Sequence, residues 1–208
     1  MSQLATLYLT PGSGNSYKPM LVKHQLALTL EVKLLNVLVG ETRRPEFLKI
    51  NPLGVVPYLV LANGTGLGES NALAWYLAEG SALIPSQPLH RAQAVQWMIF
   101  EQTSLEPNIS PARFFTLVVP DQRSAHEAEF PGWLERGNKA LARLNAHLTQ
   151  RQYITDGDYS VADIAVYGYT HMAEQGGFDL SLYPAVVAWM KRVENSKNYA
   201  PISQLLPV

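Results

Sequence analysis

Residues 51–75 constrain the fold of this chain more than any other segment, because several local signals there agree. The apolar run 58–62 predicts a strand, an Asn-Gly pair then suits a two-residue hairpin turn, and residues 65–68 predict a short return strand. Ser70 precedes an apolar helical run, so it is placed to cap a helix. The segment is therefore predicted to be a hairpin that leads directly into a capped helix.

The same segment carries groups that suit an amino-acid ligand. Val56 and Pro57 stand in front of the first strand, and the bond before a proline is the one peptide bond for which the cis form costs little. A carboxylate such as Glu69 suits an ammonium group, whereas the Ser70 hydroxyl and the amides of a helix N-terminus suit a carboxylate. A zwitterionic α-amino-acid head group needs both. The four residues together, at this spacing, favour a binding site over separate structural roles.

The residues before this segment predict a strand, a helix and a second strand. The two apolar strands span residues 4–9 and 32–39. The helix between them runs toward Leu30 and is expected to begin no earlier than about Ser16, since Pro19 is acceptable only within a first turn. A strand, helix, strand order implies a right-handed crossover and parallel pairing. Together with the hairpin and its helix, this is the α/β order of thioredoxin-like domains.

The second half of the chain predicts helices alone. We assign residues 1–80 to the α/β domain, residues 81–89 to a linker with two prolines, and residues 90–208 to an all-helical domain. Pro107 and Pro111 are expected to kink or interrupt the first long helix of that domain, because an interior proline costs on the order of 3 kcal/mol.

Later helices of this half have clear patterns and start signals. Residues 133–150 place leucines in line along one helix face. Ser160 and Asp163 have the spacing of a capping box before an apolar run, with Asp in place of the usual Glu or Gln. Pro184 suits the first position of the last helix. Asp163 is therefore interpreted as a helix cap rather than as a catalytic acid.

These features resemble the cytosolic glutathione S-transferases, and in particular bacterial-like members of the serine type. In the first half of the chain, the resemblance rests on the residue pairs at 56–57 and 69–70. In the second half, it rests on an S-V-A-D-I-A box and on the segment F-x-L-x-x-Y-P-A-V-x-x-W-M-K-R-V at residues 178–193. The resemblance covers nearly the whole chain. It implies an α/β N-terminal thioredoxin-like domain, an all-α C-terminal helical-bundle domain, and glutathione as a co-substrate without any metal.

The resemblance also implies which residues bind glutathione. In that family the proline is cis, and the residue before it offers its backbone N–H and C=O to the cysteinyl part of glutathione like an added strand. Val56 and Pro57 are expected to hold the middle of the tripeptide in this way. Glu69 and Ser70 are expected to hold its γ-glutamyl end.

The glycyl end of glutathione has no obvious partner in this sequence. Many relatives carry a polar or basic side chain two residues before the proline, where this chain has Val55. Valine has no group for a carboxylate. The nearest basic candidate is Lys49, with Arg43 and Arg44 as weaker ones, and otherwise the glycyl carboxylate faces solvent.

The loop after the first strand is expected to activate the thiol. A free thiol has a pKa near 8.5, and one hydrogen-bond donor to the sulfur lowers that pKa by roughly one to two units. Serine-type and cysteine-type relatives place the activating residue five positions before a basic residue of the first helix, and Ser13 stands five before Lys18. Ser13 is therefore the first candidate, with Asn15, Ser16 and backbone amides as rivals. Tyr8 lies inside the strand and is interpreted as a packing residue.

The electrophile site is expected between the two domains, with the kinked helix at residues 101–115 as one wall. Ser110, Arg113 and Phe114 have a spacing that can bring them near one face of that helix. The alternative is structural: Phe114 and Phe115 belong to the core, and Arg113 serves an internal ion pair or a dimer contact. The sequence does not identify the electrophile.

Composition excludes several other classes of function. Sixteen basic and 17 acidic residues give a formal net charge of -1, which offers no electrostatic basis for binding nucleic acid or an acidic membrane surface. No apolar run approaches the roughly 18 residues of a membrane span, and we expect a cytoplasmic protein. The absence of cysteine excludes disulfides, thiolate metal sites and a cysteine nucleophile in this chain.

The function predicted from these observations is that of a glutathione transferase, a homodimer that stabilises the thiolate of glutathione for attack on hydrophobic electrophiles, as in detoxification. One alternative is a glutathione-dependent disulfide-bond reductase or peroxidase of the same fold, for which a second glutathione would replace the missing cysteine. Another is a non-catalytic, transferase-like binding module, since a fold does not determine a function.

Overall fold

The computed structural model describes residues 4–207. The chain divides into two compact units, one formed by the residues up to 81 together with those from 197 onward, the other by residues 82–196. The sequence alone assigns the residues after 197 to the helical domain. They join the first unit because the Tyr17 hydroxyl donates a hydrogen bond to the Ala200 carbonyl at 2.7 Å. None of the helices among the described residues is long and apolar enough to cross a membrane.

The first unit is a four-stranded sheet with helices. Its elements are β1 Thr6–Leu9, α1 Gly14–Gln25, β2 Glu31–Leu34, the 3₁₀ turns Val37–Val39 and Glu41–Arg43, α2 Pro45–Leu48, β3 Tyr58–Val60, β4 Gly66–Leu67, α3 Ser70–Ala78, and a short terminal helix Ile202–Leu205. The strand order is β2-β1-β3-β4. Strand β1 pairs parallel to β2 and antiparallel to β3, and β3 pairs antiparallel to β4. This is the predicted parallel pair closed by a hairpin, but β2 is shorter than predicted: it ends at Leu34, and Val37–Val39 forms a 3₁₀ turn instead of continuing the strand.

Helix α1 begins earlier than predicted, at Gly14, and ends at Gln25 instead of near residue 30. Ser13 is its N-cap, and the Tyr17 N–H already donates to the Ser13 carbonyl at 2.9 Å. Pro19 therefore lies inside the helix and removes one interior N–H. The capped first turn and the packing of α1 against α3 hold the helix in spite of that loss.

The described elements of the second unit are all helical. They are α4 Pro88–Phe100, a π-helical turn Glu101–Leu105, α5 Glu106–Arg113, a second π-helical turn Phe114–Val118, the 3₁₀ segment Pro120–His126, α6 Phe130–Leu148, α7 Val161–Thr170, the 3₁₀ turns Ala173–Gly176 and Leu180–Leu182, and α8 Pro184–Glu194. Pro88 and Pro184 occupy the first position of their helices, where a missing N–H costs nothing.

The predicted interruption at Pro107 and Pro111 takes the form of two wide turns rather than a break. Before α5, the N–H of Glu106 donates to the carbonyl of Glu101, five residues back. After α5, the N–H of Val119 donates to the Phe114 carbonyl at 2.9 Å. The π-helical turns take up the change in hydrogen bonding that a proline forces on an α-helix, so the helical path continues.

Helix α7 forms the centre of the second unit, and every one of its residues is buried. The predicted capping box is confirmed, because the Asp163 carboxylate accepts the Ser160 N–H at 2.9 Å. The other carboxylate oxygen accepts the Ile154 N–H and the Trp189 indole N–H, both at 2.9 Å. Burial raises the pKa of Asp163 to about 6, and these hydrogen bonds work in the opposite direction. Asp163 thus caps α7 and ties two other segments, those of Ile154 and Trp189, to its start.

Candidate active site

The loop between β1 and α1 presents a serine hydroxyl to the surface. Ser13 has extended backbone angles (φ -91°, ψ 126°), and its side chain is half-buried. The Ser13 Oγ atom accepts the Ser16 N–H at 3.3 Å. A hydroxyl that accepts through a lone pair keeps its own proton for another acceptor. Ser13 is therefore oriented by the helix start and is able to donate a hydrogen bond to a ligand.

Ser16 lies in the same loop region but inside the protein. Its side chain is 0% exposed, and its Oγ atom accepts the Thr10 N–H at 3.0 Å. That hydrogen bond stabilises the exit of β1, since it satisfies a buried backbone donor. A fully buried hydroxyl has no surface to offer a ligand sulfur, so the geometry favours Ser13 over Ser16.

Asn15, Lys18 and Ser70 form a polar cluster in the first unit, in which Lys18 and Ser70 are buried and Asn15 is half-buried. The Lys18 ammonium donates to the Asn15 Oδ1 atom at 3.1 Å and to the Ser70 Oγ atom at 3.4 Å. The Ser70 hydroxyl donates to the same Asn15 oxygen at 3.0 Å. The cluster therefore joins α1 to the start of α3. It brings together one predicted thiol-site residue and one predicted glutathione-binding residue.

The bond between Val56 and Pro57 is cis, as the family resemblance implies. Among the described residues, neither the N–H nor the C=O of Val56 makes a hydrogen bond. The preceding loop is held because the Asn51 side-chain amide donates to the Val55 carbonyl at 2.8 Å. The two backbone groups of Val56 thus remain available to an extended ligand that pairs like a strand.

Ser70 is not the N-cap of α3, which corrects the prediction. The cap position belongs to Glu69, whose carbonyl accepts the Leu73 N–H at 2.9 Å, and Ser70 is the first helical residue. Glu69 has φ 64°, a backbone conformation that residues other than glycine rarely adopt. Its side chain is exposed. Such strain at a helix start is typical of functional sites. It leaves the Glu69 carboxylate on the surface beside the first turn of α3.

The basic residues near Val55 differ in how they are held. Val55 itself is 47% exposed. The Arg43 guanidinium donates to the Leu53 carbonyl at 3.0 Å, and Arg44 lies 3.4 Å from the Glu41 carboxylate. Lys49 is exposed and forms no ion pair within residues 4–207. Of the three predicted candidates, Lys49 is therefore the one whose charge is not already engaged.

The predicted wall residues of the electrophile site lie in α5 and the π-helical turn that follows it. Ser110, Arg113 and Phe114 are all half-buried. The Arg113 Nε atom donates to the Gln175 side chain at 2.6 Å, and burial lowers the pKa of this guanidinium. The Phe114 ring packs edge-on against Phe115, with 5.3 Å between ring centroids. Arg113 thus has a structural contact within its own unit.

The structure also reveals contacts that the sequence does not predict. Lys18 is 0% exposed and belongs to the cluster with Ser70. An aromatic stack joins Phe115 to His126 at 3.8 Å and to Trp133 at 5.9 Å. The available signal for Lys18 was its position three residues after Asn15 on a helix, which places the two side chains on one face.

Comparisons with known proteins agree with this arrangement. Residues 13–79 match the family described as "Glutathione S-transferase, N-terminal domain", and residues 105–197 match "Glutathione S-transferase, C-terminal domain". Among curated proteins, glutathione S-transferase D7 of Drosophila melanogaster is 32% identical over 190 residues, which are 89% of this chain and 82% of that protein.

Two similar solved structures come from bacteria. A possible glutathione S-transferase from Rhodopseudomonas palustris has 45% identity and a TM-score of 0.92, and covers 96% of this chain and 90% of that one. A glutathione S-transferase from Pseudomonas fluorescens Pf-5 has 42% identity and a TM-score of 0.91, with 96% and 99% coverage. The chain therefore belongs to the glutathione S-transferase family, and the predicted fold class is confirmed.

Proposed function

We propose that this protein binds glutathione along Val56 and stabilises its thiolate with the Ser13 hydroxyl for attack on a hydrophobic electrophile. The main support for the proposal is the position and hydrogen bonding of the Ser13 hydroxyl. Its oxygen is positioned by the Ser16 N–H, and its proton stays available at a half-exposed position. The open backbone groups of Val56 in the same unit support an extended pose for the tripeptide.

The proposed reaction needs little from the protein besides the hydrogen bond from Ser13 to the sulfur of glutathione. At neutral pH only a few per cent of a thiol with a pKa near 8.5 is ionised. The thiol proton leaves to solvent, and the Ser13 hydroxyl donates to the sulfur anion that remains. The thiolate then uses an electron pair to form a bond to an electrophilic carbon, and the leaving group departs with the pair of the bond that breaks.

The two ends of glutathione have different partners in this proposal. The γ-glutamyl ammonium meets the exposed Glu69 carboxylate, and the γ-glutamyl carboxylate meets Ser70 and the amides at the start of α3. The glycyl carboxylate meets Lys49 or solvent. Ser110, Arg113 and Phe114 supply half-buried surface for the electrophile.

Binding of glutathione is expected to raise the melting temperature of the protein. At a ligand concentration about 100 times Kd, binding adds about 2.7 kcal/mol to the stability of the folded state. For a chain of this size, that corresponds to roughly 5 to 10 °C. The measurement is thermal unfolding with and without glutathione, and cysteinylglycine, which lacks the γ-glutamyl group, serves as the control ligand. No shift at millimolar glutathione contradicts the binding site.

We further propose that two copies associate through α4. Ala92, Val95 and Ile99 recur on one side of this helix, and Val95 and Ile99 are 42% and 58% exposed. Apolar side chains aligned on an exposed helix face are typical of an interface. A second copy of the chain presents the same surface, which allows a two-fold contact.

The variant Ile99→Glu is expected to convert the dimer to a monomer, because association would then bury a charge without a partner. Light scattering coupled to size-exclusion chromatography measures the molar mass. Leu182→Glu is the matched control, since Leu182 is also a large exposed apolar residue, at 64%, but lies outside α4. A dimeric Ile99→Glu variant, or a monomeric wild-type protein, rules out this interface.

A further inference from the structure

The ammonium group of Lys18 lies in the interior of the first unit. The Lys18 side chain is 0% exposed, which is rare for lysine because burial removes the charge from water. Its hydrogen bonds include those to the Asn15 Oδ1 atom at 3.1 Å and the Ser70 Oγ atom at 3.4 Å. A protein that keeps a lysine in such a place gains little from it in stability, since an apolar residue of the same size is cheaper to bury.

The Ser70 hydroxyl is the donor in its hydrogen bond to Asn15. Ser70 has one hydroxyl proton, and in this structure it points to the Asn15 oxygen at 3.0 Å. To donate to an incoming carboxylate, Ser70 has to give up that bond. The Asn15 oxygen then still accepts from Lys18, so this half-buried acceptor keeps a hydrogen bond. Lys18 therefore lowers the cost of turning the Ser70 hydroxyl toward a ligand.

The charge of Lys18 acts in the same direction. Its ammonium lies 3.4 Å from the Ser70 oxygen, and Ser70 is the first residue of the nine-residue helix α3. A carboxylate that accepts from Ser70 is therefore close to a buried positive charge as well as to the positive end of a helix. Burial strengthens that attraction, because little water screens it.

We infer that Lys18 is a positioning and specificity-determining residue for the α-carboxylate at the γ-glutamyl end of glutathione, and that it acts through Ser70 and Asn15. The inference rests on the proposed function. It goes further by assigning the selection of that carboxylate to a lysine that is not itself on the surface.

The inference is tested by comparing two ligands in two proteins. The ligands are glutathione and its 4-aminobutyryl analogue, which lacks only the α-carboxylate. Calorimetry gives Kd for the wild-type protein and for Lys18→Met. The free energy of a hydrogen bond to a charged group corresponds to roughly a 10- to 100-fold change in Kd. Lys18→Met is therefore expected to weaken glutathione binding by about that factor. Binding of the analogue is expected to stay the same.

The kinetic readout separates positioning from chemistry. Lys18→Met is expected to raise KM for glutathione with a nearly unchanged kcat, because the lost interaction is made equally in the ground state and the transition state. The matched control is Lys23→Met, which removes a positive charge from the same helix and is expected to leave the preference between the two ligands unchanged.

Three results overturn the inference. Equal losses of affinity for both ligands in Lys18→Met mean a merely structural role, and no loss for either means no role at all. If Lys18→Met does not fold, the test uses Lys18→Gln, which keeps a donor to Asn15 but removes the charge. The third contradicting result is a Lys18→Gln variant that prefers glutathione over the analogue as strongly as the wild-type protein does. A wild-type protein that binds neither ligand refutes the proposed function instead, so the two failures are distinct.

Discussion

Replacement of Asp163 by alanine is expected to destabilise the folded protein by about 3 to 5 kcal/mol, the largest effect of any single substitution proposed for this chain. The carboxylate accepts backbone N–H groups of Ser160 and Ile154 and the indole N–H of Trp189, and all of these donors lie in the buried part of the second unit. Alanine leaves each of them without an acceptor, and each buried orphan donor costs about 1 to 3 kcal/mol. The helix also loses its capping box.

Urea unfolding and thermal unfolding both measure this effect. For a chain of this length, the expected loss corresponds to a fall in Tm of roughly 6 to 20 °C. Asp158→Ala is the matched control, because Asp158 is exposed and five residues away, and its replacement is expected to change stability by no more than about 0.5 kcal/mol. Similar stability of the two variants contradicts the role assigned to Asp163.

The destabilisation by Asp163→Ala is also expected to depend on pH. The ordinary pKa of this carboxyl is near 3.8, and burial in the folded protein raises it to about 6. Between these values the folded state holds a proton that the unfolded state has lost, so the contribution of Asp163 to stability falls as the pH rises through that window. The difference in stability between wild type and variant is therefore expected to be larger near pH 4.5 than near pH 7. A difference that shrinks on acidification shows that the pKa is lowered instead.

Replacement of Ser13 by alanine is expected to lower kcat/KM for glutathione conjugation by about 10- to 100-fold. The physical reason is the loss of the one hydroxyl donor to the sulfur, which stabilises the charged form by about 1.5 to 3 kcal/mol. The pKa of the bound thiol is expected to rise by roughly one to two units. Turnover with a generic aromatic electrophile and the ultraviolet absorbance of the bound thiolate measure the two quantities.

The same measurements decide between Ser13 and its rivals. Ser13→Ala also removes a helix cap, so Tm reports any loss of stability separately, about 0.5 to 2 kcal/mol for a cap. Ser16→Ala is expected to lower stability, because it leaves the Thr10 N–H without its acceptor, but not to move the pKa of the bound thiol. Unchanged kinetics in Ser13→Ala would transfer the role to Asn15 or a backbone amide. Bound glutathione without any turnover would make the protein a binding module.

Much of the fold followed from short-range signals in the sequence. The capping box of Ser160 and Asp163 spans four residues and formed as predicted. The hairpin after Pro57 and the parallel pair of strands before it also formed, because alternation, turn residues and connection length specify them locally. The predicted two-residue turn was wrong, since the Leu61 N–H donates to the Thr65 carbonyl and the loop has three residues, 62–64. The ends of the helices were predicted less accurately. Pro19 was expected in a first turn and lies inside α1, since packing offsets the loss of one hydrogen bond.

Some of the local geometry at the candidate site was predicted, and the roles of its residues stay predictions. Val56 and Pro57 have the cis bond that the family resemblance implies, whereas the hydrogen bond between Asn15 and Ser70 was not predicted. The assignment of Ser70 as a helix cap was wrong, because the backbone of Glu69 takes a positive φ and moves the helix start by one residue. No local preference predicts a strained glutamate, which persists only because the surrounding structure holds it.

Residues 51–75 contain both kinds of structure: elements that follow from neighbouring residues, and an environment that depends on residues far away in the chain. The chain order of strands, turn and helix is set by interactions between near neighbours, and those are visible in the sequence. The environment of Ser70 is not, because its partners Asn15 and Lys18 lie 55 and 52 residues earlier in the chain. Whether a lysine is exposed or fully buried depends on how α1 packs against α3, and contacts of that range exist only once the chain has folded.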